Sequence, residues 1–185
     1  MKIDLIYPIN LDFYSQGFGA NPGFYADPKY GGIKGHNGLD FFAQHGTPVY
    51  ATHDGIAEYQ VDPAGGCGVV IMSHDKSFKT ISWHLANDSK YLSPILNNNF
   101  SKVETGDIIG YADNTGASTG DHLHFGLKLC NNGETINKDN GFLGAVNPAP
   151  YLNGFLPRDF LKLKQRVSLL QKLISLWTTL FTLKK

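Results

Sequence analysis

The first 150 residues alternate between short apolar runs and turn-forming clusters. "TPVYAT", "GIAEYQV", "GVVIMS", "FKTISW", "DIIGYA" and "LHFGLKL" are rich in β-branched and aromatic residues, which suit a pleated, half-buried strand. Between them stand "GFGANPG", "YGGIKGHNG", "DPAGGCG", "NTGASTG", "NNGE" and "NPAP", where Gly, Pro and Asn supply turn geometry. Many short strands at close spacing predict a mainly β chain built as a compact antiparallel sheet or sandwich. Leu85 to Glu104 is less patterned and reads as a long loop with one helical turn.

After "NPAPYLNGFLPRDF" the period changes. From Val167 to Leu183, steps of 100° gather Val167, Leu169, Leu170, Leu173, Ile174, Leu176, Trp177, Leu180, Phe181 and Leu183 on one broad arc, with Ser168, Gln171, Lys172, Ser175, Thr178, Thr179 and Thr182 as the remainder. That is the signature of an amphipathic helix. The two regimes divide the chain into a main domain, 1–157, and a helical tail, 158–185.

The 185 residues suffice for one core of ordinary size. Net charge is zero but unevenly spread: residues 158–185 hold seven Lys/Arg against Asp159 alone, so the tail is basic and the body acidic. No basic patch on the body points to nucleic acid. The apolar span of the tail is shorter than the roughly 20 residues that cross a bilayer and contains Lys172. Packing on the domain, self-association, a partner, or an anionic membrane surface are the readings it supports. Cys67 and Cys130 sit in no metal-ligand spacing and read as two separate buried thiols. The opening "MKIDLIYPINLDFYSQGFG" is broken by Asp4, Pro8, Asn10 and Asp12 and forms no signal-peptide core.

The candidate chemistry lies in histidines. In "GHNGLDF", His36 and Asp40 would be roughly 13 Å apart on a straight strand, but Gly35 and Gly38 permit a bend that brings both inward. In "GDHLHFGLKL", Leu123, Phe125, Leu127 and Leu129 alternate as one buried face, so His122 and His124 project from the other. Two imidazoles and a carboxylate make the three-ligand, one-open-position set of a catalytic zinc. In "KTISWHL", Ile81, Trp83 and Leu85 are expected in the core, with Thr80, Ser82 and His84 on a polar face. His84 is then free to face a cleft.

These residues, with "QGFGANPGFY", "GHNGLDFFAQHGTPVYATHDG", "VVIMSH", "SWHL", "ETGDIIGYADNTGASTGDHLHF" and "NPAPYL", resemble the lysostaphin-type (LytM-like) zinc endopeptidases that cut peptidoglycan cross-bridges. The resemblance covers roughly Ser15 to Leu152. It implies that His36, Asp40 and His124 bind Zn2+, while His84 and His122 face the reacting water and the scissile peptide. It implies a peptidoglycan hydrolase of lysostaphin-like fold, acting at a cell wall or periplasm after release by a partner, as for a phage lysin, or after indirect export. A silent or protein-directed member of the fold, serving as a binding or activator module, is the alternative. Two positions depart from the family pattern: Gly126 replaces a commonly acidic residue after "HLHF", and Asp121 stands where proline commonly precedes the first histidine. Gly126 is expected on the face of His122 and His124, leaving room near the cleft. Of the other histidines, His45 and His53 read as solvated turn residues and His74 as structural.

Overall fold

The computed structural model describes residues 2–96 and 100–155. The chain divides into two units, Met1–Gly154 and Phe155–Lys185; the predicted tail helix lies outside the described residues. The first unit contains strands β1 (Tyr14–Gln16), β2 (Leu39–Phe42), β3 (Pro48–Tyr50), β4 (Gly55–Asp62), β5 (Gly66–Ser73), β6 (Phe78–Leu85), β7 (Ser101–Val103), β8 (Ile108–Tyr111), β9 (His122–Asn131), β10 (Glu134–Thr135) and β11 (Ala145–Val146). A single short helix, α1 (Pro22–Tyr25), is described among them, with 3₁₀ turns at Pro28–Tyr30 and Ala149–Tyr151.

The main sheet runs β1-β2-β9-β6-β5-β4-β7, with β10 and β11 also pairing on β9, and β3 and β8 form a separate pair. All of these pairings are antiparallel. The fold is the mainly β architecture that the run-and-turn pattern predicts. Residues 86–96 are a loop, as expected, but carry turns in place of a helical one, and β7 takes up Ser101–Val103.

Alternation along β9 sets the two faces. Leu123, Phe125 and Leu127 are fully buried, and the β2 register places Leu39 opposite Phe125 and Phe41 opposite Leu123. Val69, Ile71 and Ala57 continue this face, and Leu5, Ile9, Val49 and Ile109 pack against it from the N-terminal segment and the β3/β8 pair. Non-directional burial of apolar area joins these layers. Asp40, His122, His124 and Gly126 are left on the opposite face of the main sheet.

For β6 the structure reverses the expected alternation. Thr80 pairs with Leu127 and Ser82 with Phe125, so these two small hydroxyl residues, 2% and 3% exposed, lie on the core face. Ile81 and Trp83, opposite Gly126 and His124, take the site face. Register is imposed by the stronger apolar pattern of β9, and a buried hydroxyl is tolerated when it is hydrogen-bonded. His53 supplies that bond for Thr80: its Nε2 lies 3.0 Å from Thr80 Oγ1 and its Nδ1 3.0 Å or less from the Asp54 carbonyl. His53 is therefore not a solvated turn residue. It is 6% exposed, stacked near Phe78, and its pKa is pushed down by burial. His45 is exposed, as expected, and His74 is exposed in the turn after β5. Cys67 and Cys130 are buried free thiols.

Candidate metal centre

His36 reaches the site from a bend, not from a strand. Its carbonyl accepts from Gly19 N–H at 2.7 Å and its N–H donates to the Ala20 carbonyl at 2.9 Å, fastening the bend to residues 17–20. Two glycines make this close approach feasible. A Cβ at Gly35 would stand 2.6 Å from the Gly19 carbonyl oxygen, and one at Gly38 would stand 2.6 Å from the His124 ring and from the Phe125 carbonyl oxygen. The His36 ring stacks on Tyr25 at 5.5 Å, and its Nδ1–H donates to the Gly17 carbonyl at 3.1 Å. That bond fixes the tautomer and leaves a lone pair on Nε2.

Asp40 and His124 face each other across β2 and β9. His36 Nε2 lies 2.9 Å from His124 Nδ1 and 3.0 Å from Asp40 Oδ1, and His124 Nδ1 lies 3.0 Å from the same carboxylate oxygen. A tetrahedral zinc with ligands at about 2.0–2.1 Å separates its ligand atoms by about 3.3–3.4 Å, so the triangle is within a few tenths of an ångström of that spacing. With His124 Nδ1 unprotonated, the triangle is three lone-pair atoms facing one another with no proton between them, a deficit that a small dication meets. The residues fit such an ion. Burial raises the pKa of Asp40, but the imidazoles of His124 and His36 outweigh it and hold the carboxyl below the usual range. Burial pushes His124 down.

His84 reaches the same face through a β-bulge. Ser82 pairs with Val69 and Leu85 with Cys67, so Trp83 and His84 together oppose Gly68 alone. An inserted residue bends the strand and re-aims a side chain. His84 takes φ 63, left-handed backbone that is uncommon outside glycine. Gly65 and Gly68 accommodate the Trp83 ring, which a Cβ on either would meet at 2.5 or 2.1 Å. Thr115 ties the bulge from both sides: its hydroxyl donates to the Leu85 carbonyl at 2.7 Å and accepts from Cys67 N–H at 3.1 Å. The Thr115 carbonyl accepts from His84 Nδ1–H at 2.7 Å.

His122 is held likewise, its Nδ1–H donating to the Gly120 carbonyl at 2.8 Å. Its Nε2 lies 3.8 Å from Asp40 Oδ1, and its ring is 4.5 Å from that of His84. Burial, reinforced by His122 and His124, pushes His84 down to about 4, so it is a neutral base near pH 7. The Asp113 main chain bridges the pair, donating to the His84 carbonyl and accepting from His122 N–H. Asp113 also faces His45, whose Nε2 lies 2.8 Å from Asp88 Oδ2. That second His/Asp group is an exposed ion-pair network.

All five residues singled out in the sequence therefore meet at one place. Sequence reasoning missed Tyr25, Thr115 and the carbonyls of Gly17 and Gly120. Their only signal is position within the glycine-containing turns "QGFGANPGFY" and "NTGASTG", because a carbonyl acceptor leaves no mark on residue type.

The family model described as Peptidase family M23 matches residues 34–138. Peptidoglycan DD-endopeptidase ShyA of Vibrio cholerae is 37% identical over 92 residues, 50% of this chain and 20% of that protein. The catalytic domain of lysostaphin from Staphylococcus simulans superposes with TM-score 0.53 at 28% identity, covering 65% of this chain and 80% of that domain. A zinc-containing peptidase from Vibrio cholerae gives TM-score 0.55 at 30% identity, covering 74% and 39%. The chain spans about a fifth of the length of the curated relatives it matches.

Proposed function

The chain belongs to peptidase family M23, and on that premise we propose that it is a zinc-dependent endopeptidase that hydrolyses peptide cross-links of bacterial peptidoglycan. The observation that carries this reading is the triangle of His36 Nε2, Asp40 Oδ1 and His124 Nδ1, closed to 2.9–3.0 Å beside the paired imidazoles of His84 and His122. The kinship with ShyA and lysostaphin supports peptidoglycan as the substrate.

His36, Asp40 and His124 would hold the zinc. When bound, the ion supplies Lewis acidity that lowers the pKa of water and polarises a carbonyl oxygen. The protein residues do the rest. The Gly17 carbonyl orients His36 and raises its basicity as a ligand, a second-shell bond of the kind that typically tunes metal affinity. With Nδ1 of each ring committed to a carbonyl, His84 and His122 turn their Nε2 atoms toward the centre. One of them takes a proton from the attacking water and returns it to the leaving amine. Once protonated, that ring also donates to the oxygen on which charge develops.

The test pairs zinc content by elemental analysis with turbidity loss of purified sacculi. Wild type is expected to hold about one zinc per chain, as a three-ligand site should, and to clear sacculi. His84→Ala is expected to keep the metal and lose at least about a hundredfold in rate, the contribution of a general base. Zinc-loaded wild type that leaves sacculi intact makes the chain a binding or activator module, or a peptidase for proteins, which casein would reveal.

A further inference from the structure

On the face that carries the metal centre, one charged feature takes no part in it. The β6/β9 register places Trp83 opposite His124, Ile81 opposite Gly126, and Lys79 opposite Lys128. Directly opposed residues share a face and approach closely, and like charges there are destabilising. The row in which the two lysines stand continues to Met72 and Ile56 on one side and to Ala145 on the other, so the row contains no acid. Both lysines are half-buried, and neither makes an ion pair or side-chain hydrogen bond among the described residues. Glu134, a carboxylate at this end of β9, is 85% exposed and pairs with Lys138 at 3.5 Å. Burial, with Lys79 and Lys138 close by, pushes the Lys128 pKa down. Two half-buried ammonium groups facing one another lack a counter-charge among the described residues.

We infer that Lys79 and Lys128 form an anion subsite that receives a carboxylate of the peptide substrate. The inference rests on the peptidoglycan reading above. Between the lysines and His124 the face carries Gly126 and Ile81, so no other charge intervenes. His124 and Lys128 are four residues apart on one strand, roughly 13 Å. An extended peptide covers that span in about four residues, and the lysine stems shorten it, so the carboxylate lies about two to four residues from the bond cut. The carboxylates before β9 are engaged elsewhere: Asp121 accepts from the His45 main-chain N–H at 3.0 Å, and Asp88 and Asp113 face the His45 ring.

The experiment compares wild type, Lys79→Gln/Lys128→Gln and Lys79→Arg/Lys128→Arg on two substrates. One is sacculi stripped of phosphate polymers with hydrofluoric acid. The other is the same material with carboxylates converted to amides by carbodiimide and ammonia. Cosedimentation reads binding, and peptide release reads cleavage. Wild type should bind native sacculi at least tenfold more tightly than amidated sacculi. The Gln pair should bind both as weakly as wild type binds the amidated form, and the Arg pair should keep the preference. Melting temperatures at or above wild type for the Gln pair exclude misfolding, since a like-charge contact has been removed. A Gln pair that still prefers carboxylates as strongly as wild type overturns the inference. So does a wild type without preference. Lysine-dependent binding without peptide release from either substrate leaves the subsite standing and defeats the endopeptidase reading.

Discussion

Gly38 shows how closely a single position can govern the centre. Its φ is not left-handed, so conformational freedom is not what it provides. It provides space, with the His124 ring and the Phe125 carbonyl 2.6 Å from where a Cβ would be. Gly38→Ala must displace β2 from β9 or turn His124, and an overpacked contact of this kind costs about 1–3 kcal/mol. Zinc titration monitored by competition with a chelator should show affinity reduced about 10–100-fold, the scale of a disturbed ligand orientation. Unchanged affinity would show that the triangle tolerates the shift. His53 tests burial in another way. Its folded pKa is depressed by desolvation, so the native state favours the neutral ring. Stability from this residue is full above the unfolded pKa of about 6.5 and falls as pH drops below it toward the folded value. Melting temperature should fall from pH 7.5 to 5.5, and less steeply in His53→Gln, which removes this titration.

At the scale of elements, the bulge in β6 is where sequence and structure part. The alternation of β9 was legible because Leu123, Phe125 and Leu127 are unambiguous and leave His122 and His124 no other face. The bend at His36 was legible from the glycines around it. In β6 the expectation reached the correct place for His84 by the wrong route. Apolar Ile81 and Trp83 attract assignment to the core, yet Thr80 and Ser82 occupy it. His84 returns to the site only because the bulge adds a residue. Two residues opposing one is a property of a pair of strands, and neither "VVIMS" nor "KTISWHL" contains it alone. Thr115→Val probes this element. It removes the hydroxyl that joins Leu85 and Cys67 while keeping the carbonyl that holds His84. Leaving two buried backbone groups short of a partner costs about 1–3 kcal/mol. Chemical denaturation should register that loss, with sacculus clearing reduced and zinc content unchanged if the bulge matters for aiming His84.

For the whole described molecule, the division of labour is between faces of one sheet. The core face joins the main sheet to the β3/β8 pair and the N-terminal segment, and Phe125 sits at its middle, fully buried and packed near Phe41. Phe125→Ala should cost about 3–5 kcal/mol, measured by denaturant unfolding, and because His124 is its neighbour in β9, metal retention should fall as the unfolded fraction rises. The other face carries the metal centre among Ile81, Trp83 and Gly126, and the sheet serves as a plate between the two. The carbonyls of Gly17, Thr115 and Gly120 that hold three of the imidazoles all come from loops laid over this plate. For His84 this has a consequence for proton traffic. A ring with both nitrogens available can pass a proton through itself, in at one side and out at the other. Here the outer nitrogen ends on an amide carbonyl, which is too weak a base to carry the proton further. The ring is a dead end, so a proton taken from water inside the cleft leaves by the way it came, on the product.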